Sequence, residues 1–155
     1  HTDMAGSPFF ILKSKNPTED ELEEAATVTA CYSKAWKKGL TSTDVFYVNA
    51  EQVSKEAAAG EHLGKGSFMI RGKTTYVNHQ VKLAINVDEN SRVTIGSERG
   101  MTAQRRPYAL LIPGEEKASA IAKKLHAFFR EGLLDDFIKS IPPGGSAIEK
   151  KVRTP

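Results

Sequence analysis

The 155-residue chain carries one cysteine, Cys31, and one tryptophan, Trp36. A single thiol excludes an internal disulfide and leaves the thiolate zinc spacings unfilled. No apolar run approaches the roughly 20 residues that cross a bilayer, and no signal-peptide pattern opens the sequence. A cytoplasmic location is therefore the expectation. Missing too are a GxxxxGK[ST] phosphate loop, a GxGxxG after a strand, and HExxH. Gly60, Gly64 and Gly66 lie close together, but the spacing in Gly-Glu-His-Leu-Gly-Lys-Gly suits turns with positive φ rather than a P-loop. His1 and Asp3 make a thin case for a metal or acid–base pair, and His62, His79 and His126 show no ligand spacing. The expectation is no metal, no cofactor and no enzymatic activity of its own. Cys31 beside an apolar helical stripe reads as a small buried hydrophobe, not a nucleophile.

What is present is charge, unevenly placed. The formal charge is only +3, which says little about partners by itself. Between Val53 and Arg106, however, nine bases (Lys55, Lys65, Arg71, Lys73, Lys82, Arg92, Arg99, Arg105 and Arg106) stand against five acids. Acids gather instead at Glu19, Asp20, Glu21, Glu23 and Glu24. Such segregation fits a protein with one surface turned to an anion. Lys55, Lys65, Arg71 and Lys73 bracket a segment that also holds His62, Phe68 and Tyr76. Long cations reach phosphates and exposed rings stack on bases, the two requirements of single-stranded RNA. The plainer alternative is that the rings are core and the bases only solvate a sheet. Arg105-Arg106 forms a second candidate phosphate clamp. The candidate RNA-contacting set is Lys55, His62, Lys65, Arg71, Lys73, Arg105 and Arg106.

Periodicity supplies the fold. Phe9-Phe10-Ile11-Leu12 reads as a buried strand, and a strand with so little before it suggests that upstream sequence is missing. Asn16 as cap, Pro17 at the first helical position and Glu19 in a capping-box spacing predict a helix over 17–38. Its apolar stripe is Leu22, Ala25, Val28, Tyr32 and Ala35. Val45 to Val48 predicts a strand, and Ser67–Arg71 with Thr74–Val77 a hairpin around Gly72. Val81, Leu83, Ile85 and Val87 alternate with Lys82, Ala84 and Asn86, which predicts a sheet with one wet face, continued by Val93 and Ile95. Tyr108–Ile112 predicts a strand stopped by Pro113-Gly114. Ala118, Ile121, Ala122, Leu125, Phe128 and Phe129 mark a second helix. Leu133, Leu134, Phe137, Ile138 and Ile141 mark a short third one, ended by Pro142-Pro143-Gly144-Gly145. Ala147–Pro155 is expected to be a mobile tail. The sum is an α+β fold, a mostly antiparallel sheet with two long helices and one short C-terminal helix packed on it.

One stretch is more telling than its composition. Ala25-Ala26-Thr27-Val28-Thr29-Ala30-Cys31-Tyr32-Ser33-Lys34-Ala35-Trp36 resembles the helix of the NFACT-R domain. Gln52-Val53-Ser54-Lys55, Gly60-Glu61-His62-Leu63 and Gly66-Ser67-Phe68-Met69-Ile70-Arg71-Gly72-Lys73 continue the resemblance in the family's order. His1-Thr2-Asp3-Met4-Ala5-Gly6-Ser7 is similar to its H-x-D-x-x-G-S stretch. The resemblance is strongest over 1–77. It is looser over 78–146, where Leu111-Ile112-Pro113-Gly114 and Pro142-Pro143-Gly144-Gly145 look like the C-terminal extension of archaeal members. It implies one NFACT-R-like domain over 1–146, a tail over 147–155, and a fragment of a longer multidomain protein. The family, ribosome quality-control factors such as bacterial RqcH and vertebrate NEMF, further implies an RNA-binding module. That module would contact tRNA or rRNA backbone on stalled large ribosomal subunits, beside other domains of the same factor and away from membranes. The alternative is a docking module within the same factor that never touches RNA.

Overall fold

The capping chemistry of the first helix sets where the fold begins. Thr18 accepts a hydrogen bond from the Glu21 backbone at 3.2 Å, and the Glu21 carboxylate accepts one from the Thr18 backbone at 2.9 Å. This reciprocal box starts α1 (Glu19–Cys31), two residues after the Asn16 cap that the sequence suggested. The expected helix over 17–38 is also broken. Ser33 donates to the Ala30 carbonyl at 2.8 Å and accepts from the Ala35 backbone at 3.1 Å, so its hydroxyl competes with the helical ladder and caps a separate turn, α2 (Lys34–Lys37). The computed structural model describes residues 1–153. The remaining elements are β1 (Ser42–Tyr47), a 3-10 turn over Ala50–Gln52, β2 (Val53–Ser54), β3 (Met69–Ile70), β4 (Thr75–Gln80), β5 (Leu83–Val87), β6 (Val93–Gly96), α3 (Glu98–Ala103), β7 (Tyr108–Glu116), α4 (Ala118–Phe129), α5 (Leu134–Ser140) and β8 (Ser146–Val152).

The pairings between these strands are all antiparallel, so the α+β expectation holds. They form three sheets: β6-β5-β7-β8, and two ribbons, β1-β4 and β2-β3. The main core lies under the four-stranded sheet, where Leu83, Ile85, Leu111, Ile121, Leu125 and Phe137 meet Cys31 and Trp36. Trp36 donates its indole N–H to the Gly145 carbonyl at 3.0 Å. The N-terminal helices therefore share one core with the C-terminal half. Burial pushes the Cys31 thiol up to about 12, which keeps it protonated and inert at neutral pH, as expected.

Several expectations need correction. The sheet has no wet face along β5, whose five residues are all buried. Here α3, absent from the sequence reading, covers the second face with Met101 against Ala84, Tyr108 and Leu110. Asn86 enters this interior because Gln104 accepts from its amide at 2.9 Å and Thr94 donates to its oxygen. β7 does not stop at Pro113-Gly114 but continues to Glu116 through a register shift opposite Ser146. A Cβ at Gly114 would lie 2.7 Å from the Ser146 backbone, so only glycine lets the two chains approach there. The tail expected over 147–155 is largely strand: β8 extends the sheet to Val152, while residues 154–155 lie outside the described residues. The predicted hairpin around Gly72 does not form. β3 pairs with β2, and β4 pairs with β1 through Phe46↔Tyr76 and Val45↔Val77. Finally, Phe9–Leu12 is no strand and is not buried, with Ile11 84% exposed. β1 already has β4 on one side and a bridge to Thr2 on the other, so neither of its edges is left for that run.

Candidate nucleic-acid interface

The H-x-D-x-x-G-S stretch ties the N-terminal residues to β1. His1 and Phe46 exchange backbone hydrogen bonds, 2.9 Å for the Phe46 amide on the His1 carbonyl. The His1 ring Nε2 lies 2.9 Å from the Ser7 carbonyl, and Thr2 donates to the Ser7 hydroxyl at 2.8 Å. Asp3 accepts a hydrogen bond from the Tyr76 phenol at 3.0 Å. That bond holds the Tyr76 proton, raising its pKa. These contacts give His1 and Asp3 positioning roles in a folded knot, and they bring Phe9 back over His1.

A ladder of rings results. His1 and Phe9 stack with centroids 4.2 Å apart, Phe9 meets Phe68 edge-on at 4.9 Å, and His1 lies 5.7 Å from Phe46. Phe46 in turn lies 5.5 Å from Tyr76. The Lys55 ammonium stands 5.6 Å from the Phe68 ring centre. Five rings and a cation from separate stretches of sequence thus form one connected cluster. Phe46 is buried, whereas Phe9, Phe68 and Tyr76 are 42%, 37% and 51% exposed.

Beside the ladder lies the cationic segment. Gln52 fixes its key turn: its amide donates to the carbonyls of both Arg71 and Lys73 at 2.8 Å, while its oxygen accepts from the Asn49 backbone at 2.9 Å. Gly72 sits between those carbonyls at φ 81, a conformation open to glycine at little cost. The loop before it is held by Glu61, which accepts from the Ala58 backbone at 3.0 Å and faces Arg71 at 3.7 Å. Lys55, His62, Lys65, Arg71 and Lys73 are all exposed. Among the described residues Lys55, Lys65 and Lys73 have no carboxylate partner.

The other bases of the 53–106 segment do not add to this surface as free charge. Lys82 pairs with Glu149 at 3.0 Å, Arg92 with Asp88 at 3.2 Å and Arg99 with Asp20 at 3.1 Å. The Arg106 guanidinium donates to the Val87 carbonyl at 2.8 Å and the Asp88 carbonyl at 3.2 Å, and pairs with Glu131 at 3.1 Å. It pins the end of β5 and has little left for a phosphate. Arg105, exposed at φ 55, follows α3 beside the four-stranded sheet, on a different element from the 53–77 segment. Glu23 and Glu24 of α1 are likewise engaged. Glu23 meets His79 at 3.1 Å, and Glu24 accepts from the Ser97 backbone at 2.8 Å and from its hydroxyl. Two small clefts, about 90 and 280 Å³, lie near His79–Arg99 and near Gly39–Pro113. Neither includes the ladder or the cationic loop, which form an open surface of the kind that suits a polymer.

A family model for the NFACT protein RNA binding domain matches residues 1–72, the stretch that supplies most of the ladder and the loop. The chain belongs to the NFACT-R family. It is 33% identical to the archaeal Rqc2 homolog aRqcH of Methanocaldococcus jannaschii, over 97% of this chain and 24% of that protein. It is 42% identical to the ribosome quality control complex subunit NEMF of Homo sapiens, over 50% of this chain and 7% of that protein. The NEMF homolog of Drosophila melanogaster is 38% identical over 50% of this chain and 8% of its own length. The chain thus spans about a quarter or less of these relatives. No solved structure matches it. Phe9, Phe46 and Gln52 belong to this candidate surface and were passed over in the sequence. Gln52 was visible inside its motif, but its clamp on residues 71 and 73 depends on a pairing of β2 with β3 that no local pattern announces.

Proposed function

We propose that this NFACT-R domain grips RNA backbone, of tRNA or rRNA, as one module of a longer ribosome quality-control factor working on stalled large subunits. Binding is its whole task; no reaction is assigned to it. The observation that carries the reading is the group of Lys55, His62, Lys65, Arg71 and Lys73 on one exposed loop and turn, held by Gln52 and Glu61 and largely without acid partners. Ammonium and guanidinium groups in water bind phosphate and release its counterions. Arg105 is an accessory contact at most, and Arg106 is left out because its Nε and Nη2 donors are engaged by Val87, Asp88 and Glu131.

Titrating labelled tRNA at several salt concentrations tests this. With roughly three to five phosphates engaged, log K falls against log salt with a slope of about −2 to −4.5. A flat response contradicts the proposal. One observation favours a second reading, docking on a protein: Phe10, Ile11 and Leu12 present apolar side chains to solvent next to the ladder. That reading predicts binding to a protein partner with no affinity for tRNA at any salt.

A further inference from the structure

We propose that the ring ladder receives unpaired nucleobases, so that the ligand of this surface is single-stranded RNA rather than a duplex. The inference rests on the RNA-binding reading above and adds base faces to its phosphate contacts.

The ladder is built unlike a core. Its anchor, Phe46, is 7% exposed, yet Phe9, Phe68 and Tyr76 around it are all open to water. Phe9 and Phe68 meet edge to face, and Tyr76 is held by its hydroxyl on Asp3. Rings fixed by neighbours lose little freedom when a base settles on them, which makes them efficient stacking platforms. Lys55, 5.6 Å from the Phe68 ring centre, supplies a cation where the phosphate of a stacked nucleotide would pass. Tyr76 follows the Arg71-Gly72-Lys73 turn by three residues, placing a second ring just beyond two more cations. A paired A-form helix hides its base faces and offers only phosphates, hydroxyls and base edges, so it would leave these rings exposed to water. Protein interfaces fit the surface less well, because lysine is depleted from them, while Lys55 stands over Phe68 and Lys65 and Lys73 are exposed on the adjoining loop and turn.

The test uses this chain and three labelled probes of equal length: an oligouridine, an abasic ribose-phosphate strand, and a duplex. Oligouridine should bind more tightly than the abasic strand, which carries the same charge. Phe68→Ala combined with Tyr76→Ala should weaken oligouridine by about fivefold or more and leave the abasic strand unchanged. Tyr76→Phe, which keeps the ring but loses its hold on Asp3, should weaken oligouridine less than the alanine pair does. Trp36 fluorescence during unfolding reports that each variant is folded, and Phe68→Leu, which keeps apolar volume but loses the π face, replaces the alanine variant should it fail. If oligouridine and the abasic strand bind alike with a steep salt dependence, stacking is overturned while the backbone reading stands. If none of the three probes binds, both fall. If the ring variants leave RNA binding intact but change self-association, the ladder is a protein-docking face and the proposal is overturned.

Discussion

β4 and β5 are separated only by Val81 and Lys82, yet they belong to opposite kinds of structure. Every residue of β5 is buried, and the one polar group among them, Asn86, is satisfied by Gln104 and Thr94. In β4 only His79 is even partly buried, and Tyr76 and Val77 show large apolar surfaces to water. The C-terminal region spends its apolar residues on cohesion, under α4 and α5 on one face and α3 on the other. The ribbon β1-β4 buries Val45 and Phe46 but leaves Tyr47, Tyr76 and Val77 on the surface. On the proposed function, stability and recognition are divided between regions that share a single core, joined by α1 and Trp36.

This division can be broken by substitution, and the largest effect should come from the core. Phe137 is fully buried and stacks on Phe129 at 5.8 Å. Phe137→Ala should cost about 3–5 kcal/mol in urea unfolding, whereas Phe68→Ala should cost less than about 1 kcal/mol. Equal costs would mean that the ladder is core after all. Next in size is the joint. Glu24 links α1 to the start of α3 through Ser97, and a Cβ at Gly100 would collide with its carboxylate. Glu24→Ala should destabilise by about 1.5–3 kcal/mol, without altering the salt slope of RNA binding. Gln52→Ala should have a smaller effect on stability, about 0.5–1.5 kcal/mol. It should nevertheless weaken RNA binding, because the Arg71–Lys73 turn loses its clamp; amide exchange at residues 71–75 would rise in step.

The smallest effect is on the acid limb. The Arg92 backbone N–H outweighs desolvation and, with the smaller help of the Asn90 backbone N–H, holds the Asp88 carboxyl below its ordinary range. A depressed folded pKa means that the contribution is complete above the unfolded carboxylate value. It is lost as pH falls through the folded one. Asp88→Asn should therefore flatten the fall of Tm below about pH 4 and leave RNA binding alone.

How much of this was legible depended on the range of the forces involved. Helices α4 and α5 were, because Ile121, Leu125, Phe129 and Phe137 recur at helical steps and local spacing alone decides which face is wet. The charge of the loop was legible as well, since Lys55, Lys65, Arg71 and Lys73 are neighbours in sequence. Its architecture was not. Phe9–Leu12 carries the composition of a buried strand, and only the occupancy of both edges of β1 leaves it outside. Arg106 reads like a phosphate clamp until the carbonyls of Val87 and Asp88 claim it. The tail became β8 because β7 had an open edge, a fact about the sheet and not about residues 146–152.

A rival surface also carries rings and cations. Arg153 lies 4.2 Å and Lys151 5.7 Å from the centre of the Phe128 ring, at the far end of β8. Hydrogen–deuterium exchange of the chain with and without saturating oligouridine separates the two directly. Protection should rise over residues 1–12 and 52–77 and stay unchanged along α4 and β8. Protection confined to α4 and β8 would contradict the assignment of recognition to the N-terminal ribbons.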